Sequence, residues 1–82
     1  MDIALEVRIL ASRSFTRHID DIQPETVMAK LGVDYIDIAC VAIDLEDRLG
    51  IELSHAELVR LEKPTATIAD LIGMVERAKV MA

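Results

Sequence analysis

The chain has 82 residues, 52% of them hydrophobic, and a formal net charge of −6. A chain of this length has room for one core only, so residues 1–82 are expected to form a single domain. The acidic balance argues against binding to nucleic acid or to anionic membrane surfaces, because both attract Lys and Arg. Acidity is compatible with docking on basic patches of partner proteins, and equally with a role in solubility alone.

The composition favours helices around an aliphatic core. Phe15 and Tyr35 are the only aromatic residues, and there are three glycines and two prolines, too few for many short strands and turns. Cys40 is the only cysteine, which excludes an internal disulfide. Neither a secretory start nor an apolar run of about 20 residues is present, so the sequence predicts a cytoplasmic protein.

Helical spacing of apolar residues predicts a first helix within residues 1–20, with Ile3, Val7 and Leu10 on one side. The following stretch, residues 20–33, is punctuated by Pro24 and Gly32 and is expected to form a long, packed loop with one helical turn after Pro24.

Three further helices are expected after this loop. Asp34 is placed to cap a second helix that runs to Gly50, a favoured C-terminal residue, and Asp37 adds negative charge in its first turn. Ser54 and Glu57 match the S-x-x-E capping box and open a short third helix through about Leu61. The last helix begins at the cap-like pair Thr67 and Asp70, and its apolar stripe consists of Ile68, Leu71, Ile72 and Val75. The sequence thus predicts an all-α fold, a small four-helix bundle with three longer helices, one short helix and a long first loop.

The second helix has two apolar sides. One stripe is expected to face the core and consists of Ile38, Val41, Ala42, Leu45 and Leu49. Another stripe, Ile36, Ala39, Cys40 and Ile43, lies on a different side of the same helix. A small domain cannot easily bury both sides, so the second stripe is a candidate contact surface. The alternative is that residues of the long loop, such as Met28 and Leu31, cover it.

The stretches LGVDYIDIACVAIDLEDRLGIELS, residues 31–54, and TATIADLIGMV, residues 65–75, resemble the acyl carrier protein family. The matching positions are Leu31, Gly32, Asp34, Asp37, Leu45, Glu46, Gly50 and Ile51. The resemblance implies a four-helix bundle of the acyl carrier type, with a cavity that can open between its helices. It also implies that the second helix docks on basic patches of synthases, reductases and transferases.

The chain departs from the family at the position that carries the chemistry. Members of the family have a serine after the aspartate, which receives a 4′-phosphopantetheine arm from coenzyme A, and this chain has Tyr35 there. A phenol places its oxygen farther out on a flat ring and differs from serine in pKa, so Tyr35 is expected to remain unmodified and no cofactor is expected. Cys40 replaces a residue that is often acidic in the family, and Ile38 is more apolar than the usual occupant. Both changes predict a more apolar docking surface.

The first hypothesis is therefore an interaction module of a fatty-acid, lipid or polyketide-type pathway, with the carrier scaffold retained and the acceptor serine lost. Its partners would be proteins with basic patches, and self-association through the second helix is a further option. The residues expected to bind the partner are Asp34, Tyr35, Ile36, Asp37, Cys40, Ile43, Asp44 and Asp47, with Glu46 as a further flanking carboxylate. The alternative is a genuine acyl carrier, bearing thioesters on phosphopantetheine, whose acceptor serine was replaced by Tyr35 through engineering.

An enzyme is the hypothesis that the residues favour least. Neither His18 with Asp20 and Asp21 nor His55 with Glu57 has the spacing of a compact metal site. Cys40 has no histidine at helical spacing, and it lies in mid-helix, where the helix dipole does not favour a thiolate. The sequence therefore predicts neither catalytic nor metal-binding residues.

Overall fold

The computed structural model describes residues 2–81 and contains four α-helices in that range. They are α1 (Ile3–Phe15), α2 (Tyr35–Leu49), α3 (His55–Val59) and α4 (Ile68–Met81). Two short 3₁₀ helices, Ile19–Asp21 and Met28–Leu31, lie in the long connection between α1 and α2. The prediction of an all-α chain with three longer helices and one short helix is confirmed.

α1 is shorter than its predicted range of residues 1–20. It begins after Asp2, whose carboxylate accepts the backbone N–H of Leu5, and it ends at Phe15. Thr16 adopts the left-handed conformation, with φ of 55°, and its N–H bonds back to the carbonyl of Arg13. This left-handed C-cap closes the last turn, so residues 17–20 cannot extend the helix. Met1 lies outside the described residues.

The long connection is packed, as predicted, and arginines hold it in place. The guanidinium of Arg8 donates to the carbonyls of Ile22 and Ile19 at 2.6 and 3.3 Å. Arg17 donates to the carbonyl of Leu31 at 2.6 Å. Ile22, whose carbonyl accepts one of the bonds from Arg8, has a fully buried side chain. A tight turn follows Gln23, whose carbonyl accepts the N–H of Thr26, so the helical turn expected after Pro24 begins only at Met28, in the 3₁₀ helix Met28–Leu31.

α3 ends at Val59, two residues before the predicted end at Leu61. The N–H of Leu61 bonds to the carbonyl of Leu58 at 3.0 Å, a tighter turn than an α-helix makes. This turn places the Leu61 side chain in the core, where it is only 4% exposed. The chain therefore buries Leu61 in a tight turn before Pro64 and does not continue α3.

The start of α4 is stabilised by its own capping bonds and by hydrogen bonds to the long connection. Thr67 and Asp70 exchange reciprocal side-chain bonds with each other's N–H groups, at 3.2 and 2.9 Å, which confirms the predicted cap. The next two N–H groups, of Ile68 and Ala69, donate to carbonyls of the connection. The N–H groups that a helix start leaves free are thus satisfied by a distant segment.

The core is aliphatic, as the composition predicted. The stripes predicted for α2 and α4 are both buried, and the buried cluster consists of Val7, Leu10, Ala11, Ile22, Met28, Ile38, Val41, Leu45, Leu49, Ile51, Leu61, Ala66, Ile68, Leu71, Ile72, Met74 and Val75. α1 packs against both α2 and α4 around this cluster. None of the helices within residues 2–81 is long and apolar enough to cross a membrane.

Candidate functional site

The start of α2 is built by a glycine and two aspartates. Gly32 closes the preceding 3₁₀ helix in the left-handed region, with φ of 75°, which favours glycine. The Asp34 carboxylate accepts the N–H of Asp37, and the Asp37 carboxylate accepts the N–H of Asp34, both at 3.0 Å. This reciprocal box caps the helix and orients its first residue, Tyr35. Both aspartates were predicted to bind a partner, and that stays a prediction; the structure gives each of them a capping role.

The Asp34 carboxylate is held in its ionised form by this arrangement. The bond from the Asp37 N–H lowers the pKa of Asp34 below its ordinary value of 3.8, and partial desolvation opposes it more weakly. A negative charge at a helix start is also stabilised by the helix dipole. The first turn of α2 therefore presents a fixed anionic group beside Tyr35.

Tyr35 is the first residue of α2, and 54% of its surface is exposed. Its phenol oxygen makes no hydrogen bond to any other residue within 2–81. The ring lines a groove of about 620 Å³ between the start of α2 and the turn after α3. The floor of this Tyr35 groove is apolar and includes Met28, Val33, Ile38, Leu61 and Ala66. The tyrosine thus places an apolar ring at the groove and leaves its hydroxyl free.

The second apolar stripe of α2 is exposed. Ile36 and Ile43 are 66% and 63% exposed, Cys40 is exposed, and Ala39 is half-buried. Ile36, Cys40 and Ile43 are four and then three residues apart, so they lie in one row on the side of α2 opposite the buried stripe. We call these three residues the contact face. The alternative, that the long connection covers them, is wrong, because Met28 is buried in the core and Leu31 packs against it.

Two free carboxylates flank the contact face. Asp44 and Asp47 are exposed, and neither forms an ion pair within the described chain. Glu46 differs from them, because its carboxylate accepts the N–H of Leu53 at 3.0 Å. Its expected place at the edge of the docking surface stays a prediction, and the structure shows that it anchors the link between α2 and α3.

Ile38 also differs from expectation. It was expected to make the docking surface more apolar, but it is only 7% exposed and belongs to the core. It lies on the buried side of α2 and reaches the surface only as part of the Tyr35 groove. The apolar character of the contact face therefore comes from Ile36, Cys40 and Ile43.

The histidines have local partners only. The Nδ1 atom of His18 accepts the N–H of Asp20 at 3.2 Å and lies 3.5 Å from the Asp20 carboxylate on the surface. Glu57 pairs with Arg77 rather than with His55. Across residues 2–81, no three side chains of His, Cys, Asp or Glu come together as metal ligands would.

Sequence reasoning missed the far wall of the Tyr35 groove. Leu61, Lys63, Pro64 and Ala66 come within reach of Tyr35 although they follow it by 26 to 31 positions. Pro64 indicated a turn after α3, but a turn residue does not show which helix the turn packs against.

No family model matches the chain, and a comparison with curated proteins found no similar sequence.

Proposed function

We propose that this chain is an acyl carrier protein-like interaction module that docks on enzymes of fatty-acid, lipid or polyketide-type pathways through α2 and carries no phosphopantetheine. The observation that carries the proposal is the contact face. Two large aliphatic side chains, Ile36 and Ile43, stand exposed opposite the core, and the free carboxylates of Asp44 and Asp47 lie beside them. In a small acidic protein such a surface fits a partner with apolar contacts inside a basic rim.

The energetics of the contact face suit docking. Complete burial of an isoleucine side chain contributes about 1.5–3 kcal/mol, so two anchors that are more than half exposed can supply much of a moderate affinity. The carboxylates contribute chiefly to the rate and orientation of encounter, because exposed ion pairs add little net energy. Tyr35 can add contact area at low entropic cost at the start of the same helix.

The residues around Tyr35 support the absence of a cofactor arm. The residue follows the capping aspartate, where the family bears its serine, but its oxygen lies at the far end of an aromatic ring. A transferase that positions a short aliphatic hydroxyl for attack cannot place this phenol in the same geometry. The alternative function is thioester carriage by an acyl carrier whose serine was replaced. It would use the same exposed start of α2.

Intact mass separates these two functions. The protein is incubated with coenzyme A and a broad-specificity phosphopantetheinyl transferase, beside the Tyr35→Ser variant. We expect no mass change in the wild type and the gain of one arm in Tyr35→Ser. A gain in the wild type contradicts the proposal, and no gain in either protein contradicts recognition of an acyl carrier-like scaffold.

Docking is tested by the binding of the wild-type protein to the same immobilised transferase at low salt. We expect Ile43→Ser to weaken binding about tenfold, the effect of losing roughly 1.4 kcal/mol at an anchor. The matched control is Val80→Ser, since Val80 is 85% exposed on α4, away from the contact face. An equal loss in both variants, or none in Ile43→Ser, contradicts docking through α2.

A further inference from the structure

A second groove, of about 250 Å³, lies between α3, the turn that follows it and the first half of α4. Three cationic side chains line it: Arg60, Lys63 and Arg77. The whole chain has only nine Lys and Arg against 15 Asp and Glu. A third of its cations therefore surround one small depression, which we call the basic groove.

The acidic residues of the basic groove are already engaged. Glu57 accepts a hydrogen bond from Arg77 at 2.8 Å and also lies 3.8 Å from Arg60, so one carboxylate is shared by two guanidinium groups. Asp70 accepts the N–H of Thr67 in the cap of α4. Lys63 forms no ion pair within residues 2–81. Three cations against two carboxylates leave one positive charge in surplus in a chain that is otherwise acidic.

A glycine lies beside Arg77 in the basic groove. Gly73 is inside α4 and lines the groove. A glycine inside a helix destabilises it relative to alanine. A Cβ atom at this position would lie 3.3 Å from a guanidinium nitrogen of Arg77, so the end of that side chain would have to shift by a few tenths of an ångström. The absence of a side chain at Gly73 therefore lets the Arg77 guanidinium lie close against α4 at the wall of the groove.

We propose that the basic groove binds a small molecule that carries a phosphate group, through Arg60, Lys63 and Arg77. Guanidinium groups present planar forks of N–H donors that match phosphate oxygens, and an arginine that donates to one carboxylate keeps further donors free. The volume of about 250 Å³ lies below the ~300–1,000 Å³ typical of pockets for larger ligands, which suits a small molecule with a phosphate group. The proposal does not rest on docking through α2, although Lys63 also lines the Tyr35 groove.

The test is a titration of ¹⁵N-labelled protein with inorganic phosphate and, in a second arm, with glycerol 3-phosphate. Chloride is adjusted to keep the ionic strength constant. We expect saturable shifts of the Gly73 and Lys63 amides and of the Arg77 Nε–H signal. Tighter binding of glycerol 3-phosphate shows that the groove also contacts the organic part of a phosphomonoester, and equal or weaker binding shows that it recognises the phosphate group alone. Shifts that grow without saturation in both arms overturn the proposal.

Three variants decide whether the basic groove is the site. Lys63→Ala and Arg60→Ala should each weaken phosphate binding about tenfold, as expected for the loss of one charge-assisted hydrogen bond. The control Lys30→Ala removes an exposed lysine outside the groove and should leave the affinity unchanged. Equal weakening in Lys30→Ala and Lys63→Ala shows a general effect of charge and overturns the proposal.

The third variant, Arg77→Gln, tests the arginine directly. It keeps a hydrogen-bonding side chain but removes the guanidinium charge, and it should weaken phosphate binding about tenfold. Thermal denaturation checks that the variant remains folded after it loses the ion pair with Glu57. If Arg77→Gln is folded and binds phosphate as well as the wild type, Arg77 is not part of the site and the proposal fails.

Discussion

The Glu46 carboxylate accepts a hydrogen bond from the N–H of Leu53 at 3.0 Å, although the two residues are seven positions apart. The bond spans the end of α2 and holds the extended link that leads to α3. Gly50 and Ile51 lie inside this loop, and their N–H groups both donate to the carbonyl of Glu46. One residue thus organises the whole C-terminal end of α2.

Glu46→Ala should therefore lower the free energy of unfolding by roughly 1–2 kcal/mol, because the half-buried Leu53 N–H loses its charged acceptor. Urea denaturation measures the change. Asp47→Ala is the control, since Asp47 is exposed without an ion pair in the described chain, and it should change stability by less than ~0.5 kcal/mol. Equal effects of the two substitutions would contradict a structural role for Glu46.

Acid should weaken the cap of α2. The bond from the Asp37 N–H lowers the pKa of Asp34 in the folded protein below 3.8, so its ionised form stabilises the fold above that pH. The contribution is lost as the pH falls through the lowered folded pKa. We expect the wild type to exceed Asp34→Asn in stability at pH 7 and the difference to shrink below pH 3.8. Urea denaturation at several pH values checks this, and a difference that grows in acid would reverse the assigned sign.

Gly50 is required for its backbone conformation. Its φ of 63° is left-handed, and a Cβ atom there would meet no other atom within 4 Å. Gly50→Ala should cost about 1–2 kcal/mol from backbone strain alone. Gly50→Asn should cost less, because asparagine tolerates this region better. Equal unfolding midpoints for the wild type and Gly50→Ala would show that the strain is absent.

Truncation of a buried residue of α2 should mainly lower stability, whereas truncation of a contact-face residue should mainly weaken binding. Leu45 is fully buried, so Leu45→Ala should cost about 2–5 kcal/mol, whereas Ile43→Ala on the contact face should change stability by less than ~0.5 kcal/mol. Among variants that remain folded, Ile43→Ala should weaken binding to a partner more than Leu45→Ala does. A large loss of stability in Ile43→Ala would mean that the contact face is packed against something within the chain.

The labelling rate of Cys40 measures whether the contact face is accessible to solvent. Its thiol is exposed, so a maleimide should label the native protein at a rate close to that of the denatured chain. Self-association through α2 would bury the thiol and slow labelling as the protein concentration rises. A rate independent of concentration would favour a contact face that awaits a different partner.

Much of this fold could be predicted from local patterns. Asp34 and the pair Thr67–Asp70 were recognised as caps of α2 and α4, because a cap involves residues only two or three positions apart. The bond that the Asp37 carboxylate accepts from the N–H of Asp34 was not predicted. The buried stripes of both helices follow from helical periodicity. The ends of α1 and α3 could not be predicted in the same way, since a left-handed Thr16 and an inward-turned Leu61 depend on what each segment packs against.

The sequence by itself determined the helical class, the aliphatic core and the presence of two apolar sides on α2, because spacing along a helix sets which residues share a side. Only the tertiary structure decided that the second side stays exposed, because the long connection packs against the core and does not cover that side. It also decided that Glu46 anchors Leu53 and that Tyr35 lies beside residues from the turn after α3. The physical reason is that these relationships join positions far apart along the chain, and packing rather than local propensity brings them together.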